Sequence, residues 1–411
     1  MKCQATELPI VAQRSVSMAT KTAVPSFDAD FISLEVATDP YPVYTELRGL
    51  GPVVWLESLG MYAVTRDVLA REVLSNPAIY SSAKGVSTNP GLNEQSGGAM
   101  LITTDGAQHR ELREVFRKPL RPKALQEITG RLTEEATSLV DRLTGSGTFE
   151  GVNDFACHLP LTIVSRLIGV PEEGREHLLD WGTAFIEMAG GDNDRGRAAA
   201  PRAMEMIQWA TENITPERVS KGGWAHQLIE AHEAGGLDQE WIVRLTIDYI
   251  IAGLDTTISA TSSLLYQLGR HPEQWNLLRE NPGLIQSAIG EAVRLESPLQ
   301  AMSRVTTRDV ELGGVELAEG SRVVVIFGCV NRDEERWERA DQFDITRPDA
   351  TEHLAFGLGE HACVGQGLAK HEIQTLLKAM IPTVSEIEVD EPAWHPLNGA
   401  RVLSSLPTRF N

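Results

Sequence analysis

The chain has 411 residues, long for one simple core, so the expectation is two domains or one large domain carrying a small subdomain. Its 57 acidic residues outweigh 37 lysines and arginines, a formal charge of -20, which excludes the broad basic surface that nucleic acid or an anionic membrane requires. Four widely spaced cysteines, Cys3, Cys157, Cys329 and Cys363, form no CxxC pair, which excludes a zinc knuckle and a disulfide framework and fits a cytoplasmic protein.

Residues 1–25 contain no continuous apolar run, so they read as a flexible tail and not as a signal peptide or membrane anchor; residues 26–411 read as one domain. Pro42 to Leu50 predicts a helix, and Val53 to Leu56 with Met61 to Thr65 predicts a hairpin. Helical patterns then dominate from Arg66 to Arg294, broken by a long loop rich in Gly, Ser and Asn from Ser81 to Ala99, of the kind that is more often functional than accidental. Strand character returns at Val310 to Leu317, where Gly313-Gly314 marks a hairpin turn, and at Arg322 to Phe327. The class is mainly α, with a minor β subdomain drawn from the regions near 53–65, 310–327 and 383–411.

Four short segments carry chemistry. In DGAQHRELR, His109 and Arg113 share a helical face at i, i+4, a spacing that suits a pair of carboxylates or an ordinary solvated face. Asp238 to Leu268 predicts a single helix of roughly 45 Å, long enough to cross a domain. It is apolar on several faces, but Arg244, Asp248 and Asp255 would each be costly in lipid, so a central buried helix is favoured over a transmembrane one. Within it, Ala252-Gly253 removes side-chain bulk beside Asp255 and Thr256, consistent with either tight helix packing or the approach of a ligand. A hydroxyl at Thr256 can bond back to the carbonyl one turn earlier and bend the helix.

Glu291 and Arg294 stand at i, i+3, a pairing too common to carry meaning alone, and Arg304 follows six residues after Pro298. The stretch FGLGEHACVG sets Phe356, Gly357, Gly359, His361 and Gly365 around Cys363. Its glycines would let the loop lie flat against a large planar ligand. A helix predicted over Val364 to Lys378 would aim its N-terminus at the sulfur and favour a thiolate, a strong donor to a metal; a buried free thiol is the alternative.

These segments, HxxxR, AGxDTT, ExxR and FxxGxHxCxG in that order, resemble the cytochrome P450 superfamily of haem-thiolate monooxygenases. PYPVYTELR near the N-terminus, Asn331 to Pro348 and the final hairpin are also similar to soluble bacterial members, so the resemblance spans nearly the whole chain. It implies haem b, with Cys363 as the axial ligand and Phe356 packed against the proximal face. His109, Arg113, Arg304, His353 and His361 would meet the propionates, and Glu291 and Arg294 would form a structural network with the 331–348 meander. Ala252 and Gly253 would leave room for dioxygen, and Thr256 with Asp255 would be the alcohol and acid that relay protons for O–O cleavage.

The resemblance further implies electrons from NAD(P)H through a reductase and a ferredoxin. Its docking site would be the basic island Arg110, Arg113, Arg117, Lys118, Arg121 and Lys123. Phe185, Met188, Ile250, Leu254, Leu299, Met302 and Ala400 would line a mainly apolar pocket. Local strings such as SSAKGVS, ESPLQ and FDITR look similar to members that demethylate aryl methyl ethers. The helix positions just before Ala252 are Tyr249, Ile250 and Ile251, which offer no anchor for a benzoate, so a neutral methoxy- or alkylphenol is the expected substrate. The alternatives are hydroxylation of a terpenoid or other apolar natural product, a peroxide-driven or nitric-oxide-reducing enzyme, and a non-enzymatic haem sensor.

Overall fold

The computed structural model describes residues 24–411, so all but the last two residues of the expected tail, with Cys3, lie outside it. The N-terminal helix forms over Tyr41–Leu50, and the hairpin follows as Val53–Leu56 and Met61–Val64. These strands belong to a six-stranded sheet running 26–27, 53–56, 61–64, 322–326, 301–306 and 80–81 across its width. The sheet therefore joins segments from both ends of the chain, and it carries Arg304 on one of its inner strands. The turn expected at Gly313-Gly314 is present, both residues having positive φ, as a tight hairpin demands.

Three expectations are corrected. The long loop after Ser81 contains a helix, Pro90–Ser96, because Asn89 caps the Leu92 amide and Pro90 occupies the first helical turn. The helical stretch from 66 to 294 is interrupted by a strand, Thr148–Glu150, which pairs with Pro407–Phe410 and is thus specified from the far end of the chain. The helix after Cys363 starts later than expected and runs over Gln366–Thr383.

A fourth correction concerns the site itself. The central segment is two helices, Glu240–Gly253 and Asp255–Arg270, interrupted at Leu254 with φ -113 and ψ -72. Thr256 Oγ1 donates to the Ala252 carbonyl at 3.1 Å, taking an acceptor from the backbone ladder just where the helix breaks. Around this pair pack Ile285–Leu295, Leu178–Gly190 and the C-terminal hairpins, in one hydrophobic core that extends from Leu101 to Phe410. Among the described residues no helix is long and apolar enough to cross a membrane.

Candidate active site

A cavity of about 340 Å³ lies between the central helices and the cysteine loop. Its lining brings together eleven of the residues expected to form the cofactor site: His109, Arg113, Ala252, Gly253, Thr256, Arg304, Phe356, Gly357, His361, Cys363 and Gly365. Phe185, Leu299 and Met302 line it too.

The cysteine loop is rigid for local reasons. Cys363 N–H donates to the Phe356 carbonyl at 2.7 Å, and Gly357 and Gly359 adopt φ of +67 and +75. A Cβ on Gly359 would stand 2.8 Å from the Leu74 carbonyl oxygen, so only glycine fits there. Cys363 is open to the cavity although the cavity is deep. Burial pushes its thiol up, opposed by the Gly365 and Gln366 N–H groups and by the Arg113 and Lys370 cations. The helix terminus alone therefore does not produce the expected thiolate; a bound metal cation would supply what is missing.

The polar rim has the chemistry of a carboxylate-binding site. Arg304 is buried, donates among the described residues only to the Ser303 carbonyl, and is brought down to about 10 by burial, with the Asp105 charge opposing. An unpaired buried cation costs several kcal/mol, which a carboxylate would offset. Arg113 donates to the Ala362 carbonyl at 2.6 Å, so it faces inward and is removed from the surface patch expected of it. His361 Nε2 donates to Asp105 at 3.1 Å, while its buried Nδ1 has no partner among the described residues. Burial alone would raise Asp105, but His361, Ser81 and the Ser82 amide hold it at about 2. His109 presents both ring nitrogens to carbonyls, of Leu101 and Glu360, each at 3.1 Å, and a neutral imidazole donates to only one. Two cations, an unpartnered imidazole nitrogen and an open sulfur fit the propionates and iron of a haem.

On the opposite wall, a Cβ on Gly253 would meet only Val164, at an ordinary 3.6 Å. Tight packing does not require glycine there, which leaves ligand approach as the better account. Thr256 reaches the cavity, but Asp255 does not. Its Oδ1 accepts from Thr183 at 2.6 Å, Oδ2 is buried without a partner, and burial pushes the carboxyl up to about 7 against the Thr183 hydrogen bond.

Five further expectations are corrected. His353 lies behind Phe356, 5.4 Å between ring centres, where its Nδ1 accepts from the Ala355 amide; burial takes it down to about 3. Ile250, in the first central helix, and Leu254, at the break, are fully buried and outside the lining, to which the two helices contribute Asp248, Tyr249, Ile251, Ala252, Gly253, Thr256, Thr257 and Ala260. Met188 packs into the core while Phe185 and Ala189 line the cavity. Ala400 borders a separate small cleft beside Tyr44, and Asn398 and Gly399 reach the cavity in its place.

Glu291 and Arg294 are fully buried and paired through two 2.8 Å hydrogen bonds. Arg294 also donates to the carbonyls of Asn331, Ala340 and Gln342, and Arg347 joins Glu291 at 3.1 Å, so the network with the 331–348 meander forms as expected. Asn331 connects it to the cysteine loop by accepting from the Leu354 amide at 2.7 Å. The sequence reading missed Phe116, Trp224, Tyr249 and above all Asp248 as lining residues. The available signal was a carboxylate one helical turn before Ala252 in an apolar helix, weighed only as a charge against lipid.

Residues 203–385 match the family Cytochrome P450. The chain is 32% identical over 391 residues to "Cytochrome p450 CYP199A2" of Rhodopseudomonas palustris, covering 94% of this chain and 95% of that one. It is 29% identical over 374 residues to linalool 8-monooxygenase of Pseudomonas putida, covering 85% and 90%. Its fold is similar to that of cytochrome P450 CREJ in complex with (4-ethylphenyl) dihydrogen phosphate, with TM-score 0.82, 25% identity and coverage of 91% and 98%. Together with a sulfur-floored cavity under a broken helix, this similarity along nearly the whole chain makes the protein a member of the cytochrome P450 family of monooxygenases.

Proposed function

We propose that this P450 monooxygenase inserts one oxygen atom of O2 into a small hydrophobic aromatic substrate, hydroxylating a methoxy- or alkyl-substituted phenol or removing its O-methyl group. The observation that carries the reading is the cavity, apolar and aromatic over most of its wall, with the Cys363 sulfur on one side and the Thr256 hydroxyl on the other. Bound through Cys363, haem would supply activation of dioxygen and transfer of one of its atoms to carbon, and hydroxylation of a methyl ether carbon gives a hemiacetal that collapses to phenol and formaldehyde.

The protein's part is positional. Arg113, Arg304, His109 and His361 would hold the propionates, Phe185, Leu299 and Met302 would orient the substrate, and Thr256 would hold a proton at its Oγ1 beside the gap above Ala252. Asp255, buried with one oxygen on Thr183, would pass protons from the solvent side after a rotation toward Thr256. Electrons would come from NAD(P)H through a reductase and an acidic ferredoxin docked at the exposed residues Arg110, Arg117, Lys118, Arg121 and Lys123. Glu114 already pairs with Arg117 at 2.6 Å and Arg121 at 3.0 Å, so Arg110, Lys118 and Lys123 would carry most of the attraction.

A bound alkylphenyl compound in the similar P450 CREJ supports an alkyl-aromatic substrate, while similarity to a linalool 8-monooxygenase favours a terpenoid as the second reading. Reconstitution with ferredoxin and reductase, with product analysis on 4-methoxyphenol, 4-ethylphenol and linalool, separates the two. Cys363→Ser tests the core of the reading: the thiolate-type absorption of the reduced carbon monoxide complex is expected to vanish, and its survival would remove Cys363 as the ligand.

A further inference from the structure

Asp248 is 7% exposed and is the one acidic side chain among the residues that line the cavity. Its Oδ2 accepts from the Leu101 amide at 2.9 Å. The other face of Leu101 is held as well, since its carbonyl accepts from Thr104 Oγ1 at 2.6 Å and faces His109 Nδ1 at 3.1 Å. With the Leu101 peptide clamped, Asp248 is fixed in orientation. Its Oδ1 finds no donor among the described residues and stays open to the cavity.

The surroundings leave that oxygen as a solitary acceptor in an aromatic wall. Tyr249 stacks on Phe116 with ring centres 4.0 Å apart at 16°, and its hydroxyl is already spent on the Phe116 carbonyl at 2.6 Å. Trp224 lies 5.0 Å from the Tyr249 ring. No protein cation answers the charge: burial pushes Asp248 up to about 7, and only the Leu101 hydrogen bond opposes it. The cavity's cations, Arg113 and Arg304, belong to the propionate rim. An acceptor without a protein donor in an otherwise apolar wall favours a ligand that brings one.

We propose that Asp248 is a specificity-determining residue: its Oδ1 accepts a hydrogen bond from a hydroxyl on an otherwise apolar aromatic substrate, and in its ionised form it repels aromatic carboxylates. This deepens the functional reading above and rests on it. The same chemistry explains why no benzoate anchor exists in this helix, because the residue in the cavity has the opposite requirement.

The test is equilibrium binding to the haem-loaded protein, at a pH well above 7 where Asp248 is ionised, by spectral titration and calorimetry, of three probes that share one apolar body: 4-ethylphenol, 4-ethylanisole and 4-ethylbenzoate. The wild type is expected to bind the phenol about tenfold more tightly than the methyl ether, the effect of one hydrogen bond to a charged acceptor, and to exclude the benzoate. Asp248→Asn keeps an oxygen for Leu101 while turning the free atom into a donor, so it is expected to erase the preference for the phenol and admit the benzoate. Equal affinity of the wild type for phenol and ether, or an unchanged preference in a normally melting Asp248→Asn, would overturn the assignment while leaving the aromatic reading intact. Failure of all three probes to bind the wild type would instead bring down the aromatic reading, and this inference with it.

Discussion

Replacing Arg294 by lysine keeps the charge and removes the geometry. The guanidinium makes two 2.8 Å bonds to Glu291 and three more to the carbonyls of Asn331, Ala340 and Gln342, all buried except the last. A lysine ammonium has three hydrogens at one point, so at least two buried acceptors lose their donor. At roughly 1 to 3 kcal/mol for each unsatisfied group, and with Arg347 still holding Glu291, the expected loss is about 3 to 5 kcal/mol. For a chain of this size that lowers the melting temperature by about 3 to 6 °C. Because Asn331 also anchors the Leu354 amide at the head of the cysteine loop, haem occupancy should fall with it. Circular dichroism melts and the carbon monoxide difference spectrum measure both. An Arg294→Lys protein that melts within about 1 °C of the wild type and retains full haem would refute the argument that geometry, and not charge alone, holds this network.

Three further outcomes follow from the same structure. Thr256→Ala should retain haem and substrate binding but divert reducing equivalents to hydrogen peroxide, and unchanged coupling of NADH consumption to product would remove the proton-holding role. Asp255 binds its proton more tightly folded than unfolded, so its contribution to stability is full below its ordinary value of 3.8 and is lost as the pH rises through about 7, a difference on the order of 4 kcal/mol. Relative to Asp255→Asn, the wild type should therefore lose stability in urea melts between those two pH values, and a pH-independent difference would show that the carboxyl is not held neutral. Charge reversal at Arg110 and Lys118 should slow ferredoxin-driven reduction several-fold at low salt, and kinetics indifferent to both salt and substitution would count against docking there.

Much of the site was legible because its elements are local. Cys363, its glycines and the helix behind it lie within one stretch of chain, and the back-bonding of Thr256 and the Glu291–Arg294 pair are spacings within single helices. Their joint order pointed to one family before any coordinate was known. The misses share a different physics. Ile250, Leu254 and Asp248 have much the same sequence surroundings, and which of them faces the cavity depends on where the helix breaks and rolls. His353 and His361 both flank the same loop, yet one is shut behind Phe356 and the other faces the cavity.

Sequence alone determined the cysteine loop, the fold family and the elements that line the cavity, because each depends on residue type and short-range spacing. Tertiary structure decided which side chains share a surface: that Arg113 faces inward, that Asp255 rests on Thr183, and that Asp248 offers one free oxygen to the cavity. Those outcomes depend on the mutual rotation of elements far apart in the chain, which burial and hydrogen bonding settle only when the whole core assembles.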